Sequence, residues 1–322
     1  MGDVNRRVRT ALVVTVLNER DTIDALLQSI TAQTLAPAEV VIADGGSTDG
    51  TLDALDRWQA CLPLRVIEAK GANISRGRNL AIAATDAELI AVTDAGVRLD
   101  PHWLEHLHGA LDEGTAVVSG FFTADPRSTF ERALGATTLP NIEDVNPETF
   151  LPSSRSVLFR RAAWQAVGGY PEWLDYCEDL VFDFALKRSG AQFAFAPRAT
   201  AHFRPRATLT AFFRQYFLYA RGDGKAGLWA RRHAIRYATY FFTAAVLLKA
   251  RRWAWLLVVG GLLYTRRPYA RLKRETLSLS EWPLAFGSVP LIRLTGDVAK
   301  MLGYPVGICW RMRRAWTSRS SS

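Results

Sequence analysis

Five short apolar runs (Ala11–Leu17, Glu39–Asp44, Leu64–Glu68, Leu89–Thr93 and Ala116–Ser119) alternate with amphipathic stretches around Thr22–Gln33, Thr48–Gln59, Ile74–Ala84 and Pro101–Leu111. Runs this apolar leave no strand face for water, and the short connections leave room for one crossover helix each. The pattern predicts an α/β chain with a parallel sheet covered on both faces. In such sheets ligands sit outside the carboxyl ends of the strands. Candidate functional residues are therefore expected just after each run.

Polar groups do fall there. Asn18-Glu19-Arg20 follows the first run, and Asp44-Gly45-Gly46-Ser47-Thr48-Asp49-Gly50-Thr51 follows the second. The glycines allow a tight turn, and Ser47, Thr48 or Asp49 can cap the next helix, so an ordinary strand-to-helix turn is one reading. Neither a Gly-x-Gly-x-x-Gly dinucleotide fingerprint nor a Walker loop is present. Asn73-Ile74-Ser75-Arg76-Gly77-Arg78-Asn79 opens a helix with two arginines, which oppose the helix dipole unless an anion such as phosphate shares the site. Two solvated arginines are the plainer alternative. The fourth run ends at Thr93-Asp94-Ala95-Gly96, where an Asp can hold a hard divalent cation or simply shape a turn. Glu178-Asp179, just before the helical pattern Leu180–Arg188, either complements a helix N-terminus or supplies a general base.

Taken in order, these residues resemble the inverting nucleotide-sugar glycosyltransferases of family two, whose GT-A fold implies a doubly wound, mixed but mostly parallel sheet. The resemblance spans about Ala11 to Gly224 and rests on Asn18-Glu19, the Asp44–Thr51 run, Ser75–Asn79, Thr93–Gly96, Tyr176-Cys177-Glu178-Asp179 and Arg214-Gln215…Arg221-Gly222. It implies that Asp44 reads the nucleotide base and that Asn18 and Glu19 lie beside the nucleoside. Arg78 and Asn79 would hold ribose or diphosphate. Asp94 would lie at the ribose and a divalent cation, Mg²⁺ or Mn²⁺. Asp179 would be the general base, flanked by Glu178. Gln215 and Arg221 match a segment that closes over the diphosphate and acceptor in membrane-associated relatives. The implied reaction passes a sugar from a nucleotide-diphosphate donor to an acceptor hydroxyl, on a lipid-linked or cell-envelope glycan. Two departures stand out: Asp44-Gly45 replaces a pair of aspartates, and Asp94-Ala95-Gly96 lacks the second carboxylate of the usual Asp-x-Asp. The stretch Phe121–Leu151 matches no family motif and is expected to shape the acceptor site.

The net charge of +9 hides an asymmetry. Residues 1–200 carry 18 Lys/Arg and 27 Asp/Glu, a net of −9, whereas residues 201–322 carry 22 and four, a net of +18. We read a catalytic domain over 1–224 and a basic, apolar helical region over 225–322. Tyr237–Leu248 and Trp253–Thr265 are uncharged runs of 12 and 13 residues. Each covers roughly 18–20 Å as a helix, short of the ~30 Å hydrocarbon core. This favours a hairpin dipped into one leaflet, or lying in the interface, over two spans. Leu279–Ile292 and Ala299–Met312 add apolar segments ringed by cations, as expected of monotopic anchors on the anionic cytoplasmic face of a cell membrane. Core helices of a soluble domain are the alternative. Met1–Thr10 is polar and does not read as a secretory signal.

Two other classes compete. A sugar-phosphate nucleotidyltransferase expects a glycine-rich basic loop after the first strand, where this chain has Asn18-Glu19. A nucleic-acid binder expects a basic folded module, and this one is acidic. A degenerate transferase acting as a membrane-bound binding protein is the variant that Gly96 keeps open. Cys61, Cys177 and Cys309 lie too far apart in sequence to suggest a zinc site or disulfide framework.

Overall fold

The computed structural model describes residues 9–320; the first eight residues of the polar Met1–Thr10 segment and the last two of the basic tail lie outside the described residues. The chain up to Thr123, with Ile142–Phe203, forms one unit; Ala124–Asn141 and the chain from Arg204 onward form the other. The units thus part after Phe203 and assign Ala124–Asn141 to the helical one.

In the first half of the chain, β1 (Thr10–Val16), β2 (Glu39–Asp44), β3 (Leu64–Glu68) and β4 (Leu89–Val92) alternate with α1 (Arg20–Thr31), α2 (Thr51–Trp58) and α3 (Ile74–Ala83). Then come β5 (Val97–Leu99), α4 (Trp103–Gly109), β6 (Thr115–Ala124) and α5 (Thr129–Thr138), the last in the second unit. β7 (Val157–Arg160), α6 (Arg161–Ala166), α7 (Glu178–Arg188) and β8 (Gln192–Phe203) complete the first unit. The strands form one eight-stranded sheet in the order β3-β2-β1-β4-β7-β6-β8-β5. β1 pairs in parallel with both β2 and β4, and β2 with β3. β7 runs antiparallel to β4 and to β6. The Ala116–Ser119 run is part of the longer β6 and lies in the antiparallel half, because β7 inserts between β4 and β6 and runs against both.

The continuous apolar runs are explained by two cores. Leu12, Val14 and Val16 face Ile23, Leu26, Leu27 and Ile30 of α1. Their alternates Ala11 and Val13 face the other side, with Ile82 of α3 and Phe182 and Leu186 of α7. A period-two strand buried on both sides needs apolar residues at every position. α3 approaches β1 closely at Gly77, where a Cβ would meet Thr15 Cγ2 at 3.0 Å. In the antiparallel half, Trp103 Nε1 donates to Ser156 Oγ at 2.7 Å, and that hydroxyl donates to the Ala199 carbonyl at 2.8 Å.

The second unit adds α8 (Leu209–Ala226), α9 (Ala230–Lys249), α10 (Trp255–Leu272) and α11 (Trp282–Ser320). The segments Leu279–Ile292 and Ala299–Met312 fall largely within the single helix α11, with Pro290 and Pro305 inside it. α8 and α11 cross at backbone contact. Cβ atoms on Gly224, Gly303 or Gly307 would collide with the Tyr304, Phe217 and Arg221 carbonyls respectively, so no side chain fits between the helices. Leu134 of α5, Phe212 of α8, Leu272 of α10 and Ile292 of α11 form this unit's apolar core. Among the described residues no helix is long and apolar enough to cross a membrane.

Candidate active site

The carboxyl ends of β1, β2 and β4 deliver the sequence-selected residues to one edge of the sheet. Asn18 leaves β1 with φ 58°, a left-handed conformation that Asn tolerates better than most residues. Its Oδ1 accepts from Thr48 N–H at 2.9 Å, and its own N–H donates to Ser47 Oγ at 2.9 Å. Glu19 follows, its N–H donating to Thr51 Oγ1 at 2.9 Å and its carboxylate accepting from Thr22 Oγ1 at 2.5 Å. Asp44 ends β2, buried, and accepts from the N–H groups of Gly46 at 2.9 Å and Ser47 at 3.0 Å. These bonds lock the Asp44–Thr51 turn against the β1 exit.

The centre of the site is Arg78, 2% exposed on α3. One terminal nitrogen donates to Glu178 Oε1 at 2.7 Å and the other to Asp94 Oδ1 at 2.8 Å, while Nε is buried without a partner. Burial alone would lower the guanidinium's pKa; the Glu178 and Asp94 carboxylates outweigh it and raise the value. Asp94, 29% exposed at its side chain, also faces Arg155 Nε at 3.6 Å. Asn79, next to Arg78, bonds through its amide to α6 and to the loop before α7: Oδ1 accepts from Trp164 Nε1 at 3.0 Å, and Nδ2 donates to the Tyr170 carbonyl at 2.8 Å.

Glu178 and Asp179 begin α7 directly after Cys177, which holds φ 64°. Left-handed backbone at a residue other than Gly is strained, and here it aims the first turn of α7 toward Arg78. Burial pushes the Glu178 carboxyl up to about 7 against the pull of Arg78. Asp179 is half-buried; burial raises its pKa too, opposed by Arg78 and by the Leu180 N–H that donates to Oδ1 at 2.8 Å. One turn further, Asp183 is 3% exposed, with Oδ2 lacking any partner and a pKa raised well above the carboxylate range by burial and by Asp179.

Arg78, Asp94, Glu178 and Asp179 thus gather in one cluster, and Asn18, Glu19 and Asp44 share the neighbouring turn. Gln215 and Arg221 lie on α8 in the second unit, where Gln215 Nε2 donates to Tyr219 Oη at 2.9 Å. Sequence reasoning missed Arg155 and Asp183. Arg155 reaches the site because β7 is antiparallel to β4, with Val92 opposite Val157, so the residues entering β7 lie beside those leaving β4. Its carbonyl accepts from Thr93 Oγ1 at 2.8 Å, and its guanidinium lies 4.7 Å from the Phe203 ring centroid. The Ser153-Ser154-Arg155-Ser156 run carries no local signal that could have found it. Among the described residues no three His, Cys, Asp or Glu side chains form a group able to hold a metal ion.

The family model described as glycosyl transferase family 2 matches residues 11–166. The succinoglycan biosynthesis protein ExoA of Rhizobium meliloti is 32% identical over 230 residues, covering 66% of this chain and 68% of that protein. The chain belongs to glycosyl transferase family 2. It is a glycosyltransferase, and membership sets aside the sugar-phosphate nucleotidyltransferase reading. The O-antigen chain rhamnosyltransferase RfbN of Salmonella typhimurium, another similar glycosyltransferase, is 23% identical, covering 65% of this chain and 71% of its own. Among solved structures, a mannosyltransferase from Pyrobaculum calidifontis in complex with GDP-Man and Mn²⁺ aligns with a TM-score of 0.57 at 19% identity, covering 94% of this chain and 86% of that one. TarS 1–349 of S. aureus in complex with UDP-GlcNAc aligns at 0.52 and 17% identity, covering 94% and 92%. These likenesses establish the GT-A fold: a mixed eight-stranded sheet followed by a helical region.

Proposed function

We propose that this chain transfers a sugar, with inversion, from a nucleotide-diphosphate donor to a hydroxyl of a cell-envelope glycan or its lipid-linked precursor, with Asp179 as general base. The observation that carries the reading is the position of Asp179. Its carboxyl has a raised pKa and stands beside an arginine that ties Asp94 to Glu178. A base must hold a proton well enough to take one from a hydroxyl, and desolvation gives a carboxylate that basicity. Asp179 takes the acceptor proton as the oxygen bonds to the anomeric carbon. The bond from that carbon to the diphosphate breaks on the opposite face, and the electron pair leaves with the nucleoside diphosphate. A single displacement of this kind inverts the centre.

Asp44, Asn18 and Glu19 are assigned to the nucleoside. The turn that they brace presents its backbone there. Arg155 is assigned to the developing charge on the diphosphate, an electrostatic role suited to a positioned cation. Arg78 and Asn79 act on the donor through the carboxylates and loop that they hold. Gln215 and Arg221 keep the donor and acceptor roles that the resemblance gives them. Asp94 is a lone carboxylate already facing two guanidinium groups, a donor set that fits a cation shared with the donor's phosphates rather than one resident in the protein. Such a cation would offset charge on the leaving group.

Membrane association belongs to the same proposal. On α9, Ile235, Phe241, Phe242, Leu247 and Leu248 are exposed, and on α10 the run Trp255–Tyr264 is exposed at nearly every position. A helix apolar on all sides needs a nonaqueous neighbour. The cations Lys249, Arg251 and Arg252 at the turn suit phosphate headgroups, which favours a hairpin lying in the cytoplasmic interface.

The test is nucleoside-diphosphate release from UDP-, GDP- and dTDP-sugars with a membrane fraction as acceptor. Asp179→Asn is expected to lower the rate by ~10²–10⁴-fold with donor affinity unchanged. Near-normal turnover by the folded variant would remove Asp179 from the role, and no turnover or donor binding by wild type across the panel would point to a non-catalytic relative.

A further inference from the structure

The helical unit buries charges that the transfer reaction does not use. Where α9, α10 and α11 meet, Asp297 accepts from Arg236 Nε at 2.8 Å, from Tyr264 Oη at 2.7 Å and from Tyr240 Oη at 3.2 Å. Arg236 Nη1 also contacts His233 Nδ1 at 3.2 Å, and His233 Nε2 lies 3.2 Å from Asp223 Oδ2. Asp297 is thereby saturated, with one cation bonded to it.

Two further cations stand beside this arrangement without an acceptor. Arg293 lies 4.6 Å over the Tyr264 ring, its Nε buried and unpartnered. Lys300 lies 4.7 Å over the Tyr216 ring of α8. Neither has a hydrogen-bonded or ion-paired partner among the described residues, and both are half-buried, so one side of each remains reachable. Burial first, and then the charges of Arg236 and Arg293, push the Lys300 ammonium down to about 8. Cations in excess of carboxylates at a partly desolvated point are stabilised by an anion with several acceptor oxygens.

The position narrows the anion. Tyr240 lies on α9 within the apolar run Tyr237–Leu248, and Tyr264 lies at the end of the exposed apolar run of α10. Tyrosines with apolar bodies and hydroxyls turned to a polar cluster are characteristic of the headgroup level of a bilayer. We propose that Arg293 and Lys300, with Arg236 behind them, form a binding site for the phosphate group of a lipid. This rests on the membrane-association reading above and adds a specific site to it. The phosphate comes either from a phosphodiester headgroup of the bilayer or from a lipid ending in a phosphate monoester.

The test is vesicle co-sedimentation of the full chain with phosphatidylcholine alone, with added phosphatidylglycerol and with added phosphatidic acid. Wild type is expected to prefer the vesicles whose phosphate is not offset by choline, and Arg293→Gln/Lys300→Gln to lose about tenfold of that preference while still binding phosphatidylcholine. Arg251→Gln/Arg252→Gln removes the same charge at the exposed α9–α10 turn and is expected to lose less; Lys300→Arg is expected to retain the preference. A larger margin for phosphatidic acid identifies a monoester ligand, and equal margins identify a diester headgroup. Equal losses in the two double variants would replace the site with diffuse attraction and leave the membrane reading standing. Wild type binding no vesicle at all would overturn both.

Discussion

Arg78 and Glu178, 100 residues apart, meet at 2.7 Å in a setting where both are nearly excluded from solvent. The pair joins α3 to the first turn of α7, so the helix that carries Asp179 is referenced to the parallel half of the sheet rather than to its own loop. Arg78→Met leaves Glu178 buried without its cation and is expected to cost ~3–5 kcal/mol. Arg78→Met/Glu178→Leu should recover most of this, because no charge is then buried unpaired. Urea denaturation of the full chain with both variants checks it.

The raised carboxyls set a pH signature. Glu178, pushed up to about 7 by burial, binds its proton more tightly in the native state than an unfolded glutamate at ~4.3. Its contribution to stability is full below the unfolded value and declines as pH rises through the interval up to about 7. Glu178→Gln should flatten that part of the stability profile. Activity runs the opposite way, since the base must be ionised: kcat/KM should rise on the acid limb with an apparent pKa above the ordinary carboxylate range. That value belongs to the Glu178–Asp179 pair rather than to either residue.

Gly96 stands where the family resemblance leads one to expect a second carboxylate, and a Cβ there meets nothing within 4 Å. Gly96→Asp should therefore fold normally and tighten Mn²⁺ binding by about tenfold or more in the absence of donor. Wild type should bind Mn²⁺ appreciably only when a nucleoside diphosphate is present. Calorimetric titration of both proteins, with and without the nucleotide, reads this directly.

Gly120 has no such space. A Cβ would overlap Ser156 Oγ and lie 2.6 Å from the Ala199 carbonyl, breaking the bonded chain from Trp103 Nε1 through Ser156 to β8. Gly120→Ala is expected to destabilise by ~1–3 kcal/mol. The loss should appear as a lower urea midpoint with little change in slope.

The parallel half of the sheet was legible because it is locally encoded. Both faces of β1, β2 and β4 are covered, so their residues are apolar without alternation, and Asn18, Asp44 and Asp94 mark where the three strands emerge. The antiparallel half is not encoded in this way. Arg155 reaches Asp94 through a strand direction that only long-range pairing decides, and nothing local distinguishes Ser153–Ser156 from another polar turn. Asp183 was hidden for the opposite reason: a carboxylate four residues after Asp179 on a helix pattern reads as a solvated face, yet α7 turns it into the core. The assignment of Ala124–Asn141 to the helical unit was also beyond local reading, because α5 is an insertion that leaves β6 and returns before β7.

The glycine contact between α8 and α11 has a mechanical consequence. Helices separated by side chains can slide by exchanging rotamers, but a seam of backbone against backbone at Gly224, Gly303 and Gly307 has no such compliance. The two helices move as one bar. A displacement of α11 is then expected to carry with it the α8 positions that hold Gln215 and Arg221.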